Sequence, residues 1–221
     1  MKIKYSLLLL SLICTGIALR SPVNVQAQSS TGQSRPAQPQ TQPPKVLDEP
    51  SIPAGWKRYQ FSYGSGDILS LIFPQAPKEE VERDKSEPNI ETVTHMLSAD
   101  TGSSFYFAGY IELLAKDARI KFTPEERKTL FDQFWGAIAQ GLKEGLAESG
   151  MTAKLTSSPP RKVMISGREG QEQSFWIDRW PGHYRAVIGE HHIYVIATIS
   201  LSEIADKETA PFMASFKLMP R

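Results

Sequence analysis

Cysteine is nearly absent from these 221 residues: the one thiol, Cys14, lies inside the N-terminal apolar run. If that run is removed on export, the remaining chain has no disulfide, no thiolate nucleophile and no cysteine-ligated metal. An exported domain without disulfides must hold itself together by burial. An excess of one charge is also missing. The net charge is +1, no basic run of the kind that tracks nucleic acid occurs, and nucleic acid is excluded as a partner. Long apolar runs are missing too, apart from Tyr5–Leu19. Those 15 residues fall short of the roughly 20 that span a bilayer comfortably.

What precedes and follows that run is informative. Lys2 and Lys4 stand before it, and Val25-Gln26-Ala27 offers a small-x-Ala cleavage site after it. Residues 1–27 therefore read as a secretory signal peptide, the alternative being an uncleaved anchor that would be the only link to a membrane. Lipidation of Cys14 would need small residues before the thiol, and Leu12-Ile13 stand there instead. Removing Lys2, Lys4 and Arg20, and no acid, takes the net charge from +1 to −2. Export implies the periplasm, a thylakoid lumen or the extracellular space.

Residues 28–54 are rich in Gln, Pro, Ser and Thr, clearest in Gln38-Pro39-Gln40-Thr41-Gln42-Pro43-Pro44. With little to bury, this segment reads as a disordered linker with polyproline character. A PxxP ligand (Pro36 to Pro39) is the alternative to a solvated spacer. The globular domain spans residues 55–221, long enough to build a core without staples.

Within it, Tyr59, Phe61 and Tyr63 alternate with polar residues as a half-buried strand does, and Ile68–Phe73 reads as a strand covered on both sides. Lys78–Glu87 reads as a solvated charged loop. Strands follow around Ile90–Leu97 and Ser103–Leu113, turning at Asp100-Thr101-Gly102. Phe105, Phe107 and Ile111 share one face of the second strand; Tyr106, Ala108 and Tyr110 share the other.

Thr123-Pro124-Glu125-Glu126 supplies a cap, a proline at the first helical position and a capping-box glutamate. Leu130, Phe131, Phe134, Trp135, Ile138, Leu142 and Leu146 then repeat at three- and four-residue spacing until Gly150. Gly136, Gly141 and Gly145 inside this helix suggest close approach to a sheet, or else a hinge. Five more strands follow, and a short helix anchored by Phe212, Met213 and Phe216 closes the chain. Strands joined by tight turns imply an α+β fold with a mainly antiparallel sheet flanked by helices.

A two-residue hairpin at Gly189-Glu190 would pair Arg185 with Tyr194, and a turn at Pro181-Gly182 would pair Asp178 with Arg185. One face then collects Phe175, Ile177, Tyr184, Ala186, Ile188, Ile193, Val195 and Ala197 as core. The other collects Trp176, Asp178, Trp180, His183, Arg185, Val187, His192, Tyr194 and Ile196, with Asp178, Arg185 and Tyr194 forming a polar row. That row reads either as a half-buried register-fixing ion pair or as part of a binding surface, because Trp, Tyr and Arg dominate interface hot spots. The candidate partner-binding residues are Trp176, Asp178, Trp180, His183, Arg185, His192 and Tyr194.

Chemistry finds little support. His191 and His192 are adjacent on a strand and point to opposite faces, and in this register His183 stands roughly 14 Å from the position facing His192. His95 lies on another strand, so no metal site assembles. No Gly-x-Ser-x-Gly elbow and no phosphate loop is present. No cofactor is implied.

Several segments together resemble the PsbP-like (Mog-type) family. They are Trp56–Phe73 running into Pro74-Gln75-Ala76-Pro77, Phe105-Tyr106-Phe107, the long helix, Ser166-Gly167-Arg168-Glu169-Gly170-Gln171-Glu172, His191-His192-Ile193-Tyr194-Val195 and Phe212-Met213-Ala214-Ser215-Phe216. The resemblance implies an α/β/α sandwich. It also implies a role in binding and assembly, as extrinsic photosystem subunits have, and no functional residue is carried over from it. The expectation is an exported, non-enzymatic module that recognises a protein partner in the cell envelope. An envelope hydrolase with a dispersed site, or a metal or small-ligand carrier, is the alternative.

Overall fold

Period-two patterning governs most of the chain. The computed structural model describes residues 45–47, 52–64, 66–87, 90–115, 122–148, 152–189 and 192–220. The expected signal peptide, most of the expected linker, Gly150 and His191 lie outside these residues. Strands β1 (Lys45–Leu47), β2 (Lys57–Phe61) and β3 (Ile68–Phe73) come first, followed by β4 (Lys78–Glu87), β5 (Ile90–Asp100) and β6 (Ser104–Ala115). Helix α1 (Pro124–Glu148) separates these from β7 (Leu155–Ser157), β8 (Arg161–Ile165), β9 (Arg168–Ile177), β10 (Trp180–Ile188) and β11 (His192–Ser200). Helix α2 (Glu203–Ser215) and β12 (Lys217–Met219) end the chain.

The larger sheet runs β4-β5-β6-β11-β10-β9-β7, with β8 also paired to β9, and the smaller runs β1-β2-β3-β12. Every pairing described is antiparallel. The class is therefore α+β with a mainly antiparallel sheet. Lys45–Leu47, inside the segment expected to be a linker, pair with Arg58–Gln60 of β2.

Alternation gives the larger sheet two apolar faces. Phe105, Phe107, Ile111, Phe175, Ile177, Tyr184, Ala186, Ile193 and Val195 form one core with α1. From that helix Leu130, Phe131, Phe134, Ile138 and Leu142 are buried, and Trp135 stacks on Tyr184 with ring centres 5.5 Å apart. The helix starts as its sequence requires. Glu126 N–H donates to Thr123 Oγ1 (3.2 Å), and Thr123 N–H donates to the Glu126 carboxylate (2.8 Å). The opposite face, with Tyr106, Ala108, Tyr110, Val187, Tyr194 and Ile196, packs against the smaller sheet and against Phe212 and Phe216 at the end of α2. Its cover is thus part sheet and part helix.

Four expectations need correction. Lys78–Glu87 is no loop but a ten-residue edge strand on β5. Its charges suit an edge, where they discourage pairing with another chain. The β9–β10 turn is Asp178-Arg179, with Trp180 opposite Ile177, and Asp178 takes the left-handed φ of 53° that such a tight turn demands. Pro181 and Gly182 lie inside β10, Gly182 facing Phe175, whose ring occupies the space a Cβ would fill. On the other side of β10, Ile188 pairs with Ile193, so Arg185 faces Ile196 and Val187 faces Tyr194. Finally, Gly136 is exposed with nothing within 4 Å of an added Cβ, so close helix–sheet approach does not explain it.

Candidate functional site

On the larger sheet, helix α2 packs chiefly over β11, β6 and β10. The uncovered strip between α2 and β9 is a groove of about 880 Å³, walled by Glu172, Ser174 and Trp176 on β9, His183 and Arg185 on β10, and Asp206 and Met213 on α2. Three of the seven expected residues therefore meet here: Trp176, His183 and Arg185. Trp176 is 39% exposed, one of few large apolar side chains left open to solvent among the described residues.

Two polar clamps tie α2 to the sheet along this groove. Arg185 Nη2 and Nε donate to Glu172 (2.7 and 3.1 Å), and Nη1 donates to the Met213 carbonyl near the C-terminal end of α2 (2.8 Å). Arg161 pairs with the same carboxylate from β8. Burial pushes the Glu172 carboxyl up, but hydrogen bonds from Arg185 and Arg161 outweigh it and hold the group below the usual carboxylate range.

The second clamp starts from Ser174 and His183, direct partners across β9 and β10. Ser174 Oγ lies 2.9 Å from His183 Nδ1, and His183 Nε2 lies 3.0 and 3.1 Å from the two Asp206 oxygens. Assigned by these partners, Nδ1 accepts from the hydroxyl and Nε2 donates to the carboxylate. This is the connectivity of a serine–histidine–aspartate relay, but the backbone around it differs from that of a nucleophile site. Ser174 sits mid-strand, its N–H donating to Ser158 Oγ and its carbonyl accepting from Ser158 N–H. Strand amides lie in the plane of the sheet, so they do not project onto the face where an oxyanion would form.

The remaining expected residues are elsewhere. Asp178 accepts from Lys154 N–H (2.8 Å) at the turn and does not meet Arg185. The expected Asp178–Arg185–Tyr194 row does not form, because both hairpin registers differ from those expected. Trp180, first residue of β10, shares the side of Tyr184 and packs against the α1 core, away from the groove. His192 and Tyr194 are buried under the loop before β3. His192 Nε2 lies 3.4 Å from Glu112 and its ring stacks on Tyr110, while the Tyr194 hydroxyl accepts from Asp67 N–H (2.9 Å). Burial is the main cause that raises the Tyr194 phenol above its usual range. In the same layer Tyr63 stacks on His95 at 3.8 Å, and His95 Nδ1 bonds Glu79 at 3.2 Å.

Glu172, Ser174, Asp206 and Arg161 escaped the sequence reading. The Ser166-Gly167 turn could have revealed two of them, since a two-residue hairpin there sets Arg161 opposite Glu172. Among the described residues, no group of three or more His, Cys, Asp or Glu side chains is arranged to hold a metal. No helix among them is long and apolar enough to cross a membrane.

No protein-family model matches the chain, and no match is found among the curated proteins.

Proposed function

We propose that the chain is an exported, non-enzymatic binding module, a PsbP-like α/β/α sandwich that recognises a protein partner in the cell envelope through the groove between α2 and β9. The reading rests most on Trp176, an indole left open beside clamps whose charges are already satisfied within the protein. An exposed tryptophan flanked by arginines is the side-chain set that anchors interface hot spots. It belongs to neither buried core, so its open face is surface that the isolated domain does not use. The signal-like residues 1–27 and the PsbP-like segments support export and an assembly role.

The test is capture from the native envelope with Trp176→Ala beside Val81→Ala, the latter an exposed apolar residue on the far edge strand. Loss of a hot-spot tryptophan weakens capture by about 30-fold, equivalent to about 2 kcal/mol, and Val81→Ala leaves it intact. Equal capture by both variants counts against the groove.

A second reading, an envelope hydrolase, draws on the Ser174–His183–Asp206 connectivity. Its test is covalent labelling of Ser174 by a fluorophosphonate. The in-plane amides around Ser174 favour the binding module.

A further inference from the structure

Resting on that reading, the distribution of charge specifies what the groove holds. A second hollow of about 710 Å³ lies on the opposite face of the larger sheet, between the first turns of α1 and strands β8 and β9. Arg161 lines both hollows, and Pro159 and Pro160, which lead into β8, line one each. The two concavities therefore meet around β8, at the end of the sheet away from β4.

Their walls hold seven lysines and arginines against four carboxylates, a local net of +3. The chain after residue 27 carries −2, so the charge balance here is opposite in sign to that of the whole. Several are committed: Arg161 and Arg185 to Glu172, Lys162 to Glu169, and Arg168 to Asp67. Lys128 on α1 and Lys207 on α2, one in each hollow, are exposed and have no carboxylate partner among the described residues. Apolar surface lies beside Lys207, from Trp176 and Met213.

We infer that the occupant is an extended acidic segment of a partner protein, wrapping the β8 edge with its carboxylates on Lys128 and Lys207 and an apolar side chain on Trp176. A flat anionic bilayer cannot follow two hollows that face opposite sides of one sheet. A polyuronate shares the charge and is the competing occupant that the titration below distinguishes. Opposed charges of this kind speed encounter and make affinity fall with salt.

The experiment titrates the purified chain with poly-L-glutamate, polygalacturonate and phosphatidylglycerol vesicles, read by tryptophan fluorescence and sedimentation. Wild type is compared with Lys128→Glu, Lys207→Glu, their double variant and a charge-matched control, Lys78→Glu with Lys85→Glu on the far edge. Circular dichroism checks the fold of each. The inference expects polyglutamate to bind best, each single variant to weaken it several-fold, and the double variant to weaken it at least tenfold. The control should stay within twofold of wild type. Preference for polygalacturonate or for vesicles overturns the acidic-segment assignment, as does an equal loss in the control or no polyglutamate binding. If polyglutamate fails while partner capture still depends on Trp176, the groove reading survives and only the acidic occupant is lost.

Discussion

The ring of Phe175 lies over Gly182, its cross-strand partner, in the space a Cβ at Gly182 would take. The Pro181-Gly182 pair resembles a turn in sequence, yet this glycine serves packing. Phe175 and Gly182 are both buried, and the ring centre of Trp135 is 5.5 Å from that of Phe175.

Gly182→Ala therefore overpacks the sheet and costs about 1–3 kcal/mol in urea unfolding. Gly136→Ala changes stability in the other direction. With open space around it on an exposed helix position, alanine should stabilise by up to about 1 kcal/mol. A destabilised Gly136→Ala protein would show that this glycine has a role the packing does not reveal.

Acid should unfold the domain through carboxylates held ionised by their partners. Glu79 titrates below the usual range chiefly because of its hydrogen bond with His95, and Glu172 because Arg185 and Arg161 outweigh the effect of burial. A folded-state value below the unfolded one means the folded state binds fewer protons. The stability this confers is complete above the unfolded carboxylate value, about 4.3, and is lost as pH falls through the folded values. Melting temperature should drop as pH is lowered from about 4.5, and less steeply in Glu172→Gln than in wild type. A variant slope as steep as that of wild type would remove Glu172 from this account.

The Ser174–His183–Asp206 contact is a clamp on α2. Ser174 should resist a fluorophosphonate at neutral pH, and Ser174→Ala should change stability by no more than about 1.5 kcal/mol, the worth of one hydrogen bond. Asp206→Asn should loosen α2, read as faster amide exchange in Glu203–Ser215 with β5 and β6 unaffected. Stoichiometric labelling of Ser174 would favour the hydrolase instead.

The two faces of the larger sheet were legible in the sequence even though both hairpin registers were not. Arg185 was expected opposite Asp178 and stands opposite Glu172; it was expected opposite Tyr194 and stands opposite Ile196. Both displacements are even, and side chains alternate with a period of two, so the residues away from the turn kept their faces while their neighbours changed. Trp180 was misplaced by parity, since the true turn makes it the first residue on the Tyr184 side. Helix α1 was legible because capping box, proline and apolar spacing all agree. Strand β4 was not, because an edge strand gains its order from one neighbour's ladder and needs little apolar sequence of its own. The groove was half legible: Trp176, His183 and Arg185 follow from parity, but Asp206 and Met213 arrive from α2, whose docking angle no local pattern encodes.

The claim that the groove between α2 and β9 is the recognition surface can be tested by site-specific photo-crosslinking in intact cells. A photoreactive residue is placed in turn at Trp176, at Lys207 and at Val81. The account predicts one discrete adduct shared by the first two positions and none at the third. Adducts at Val81 alone, or the same pattern at all three, would contradict it.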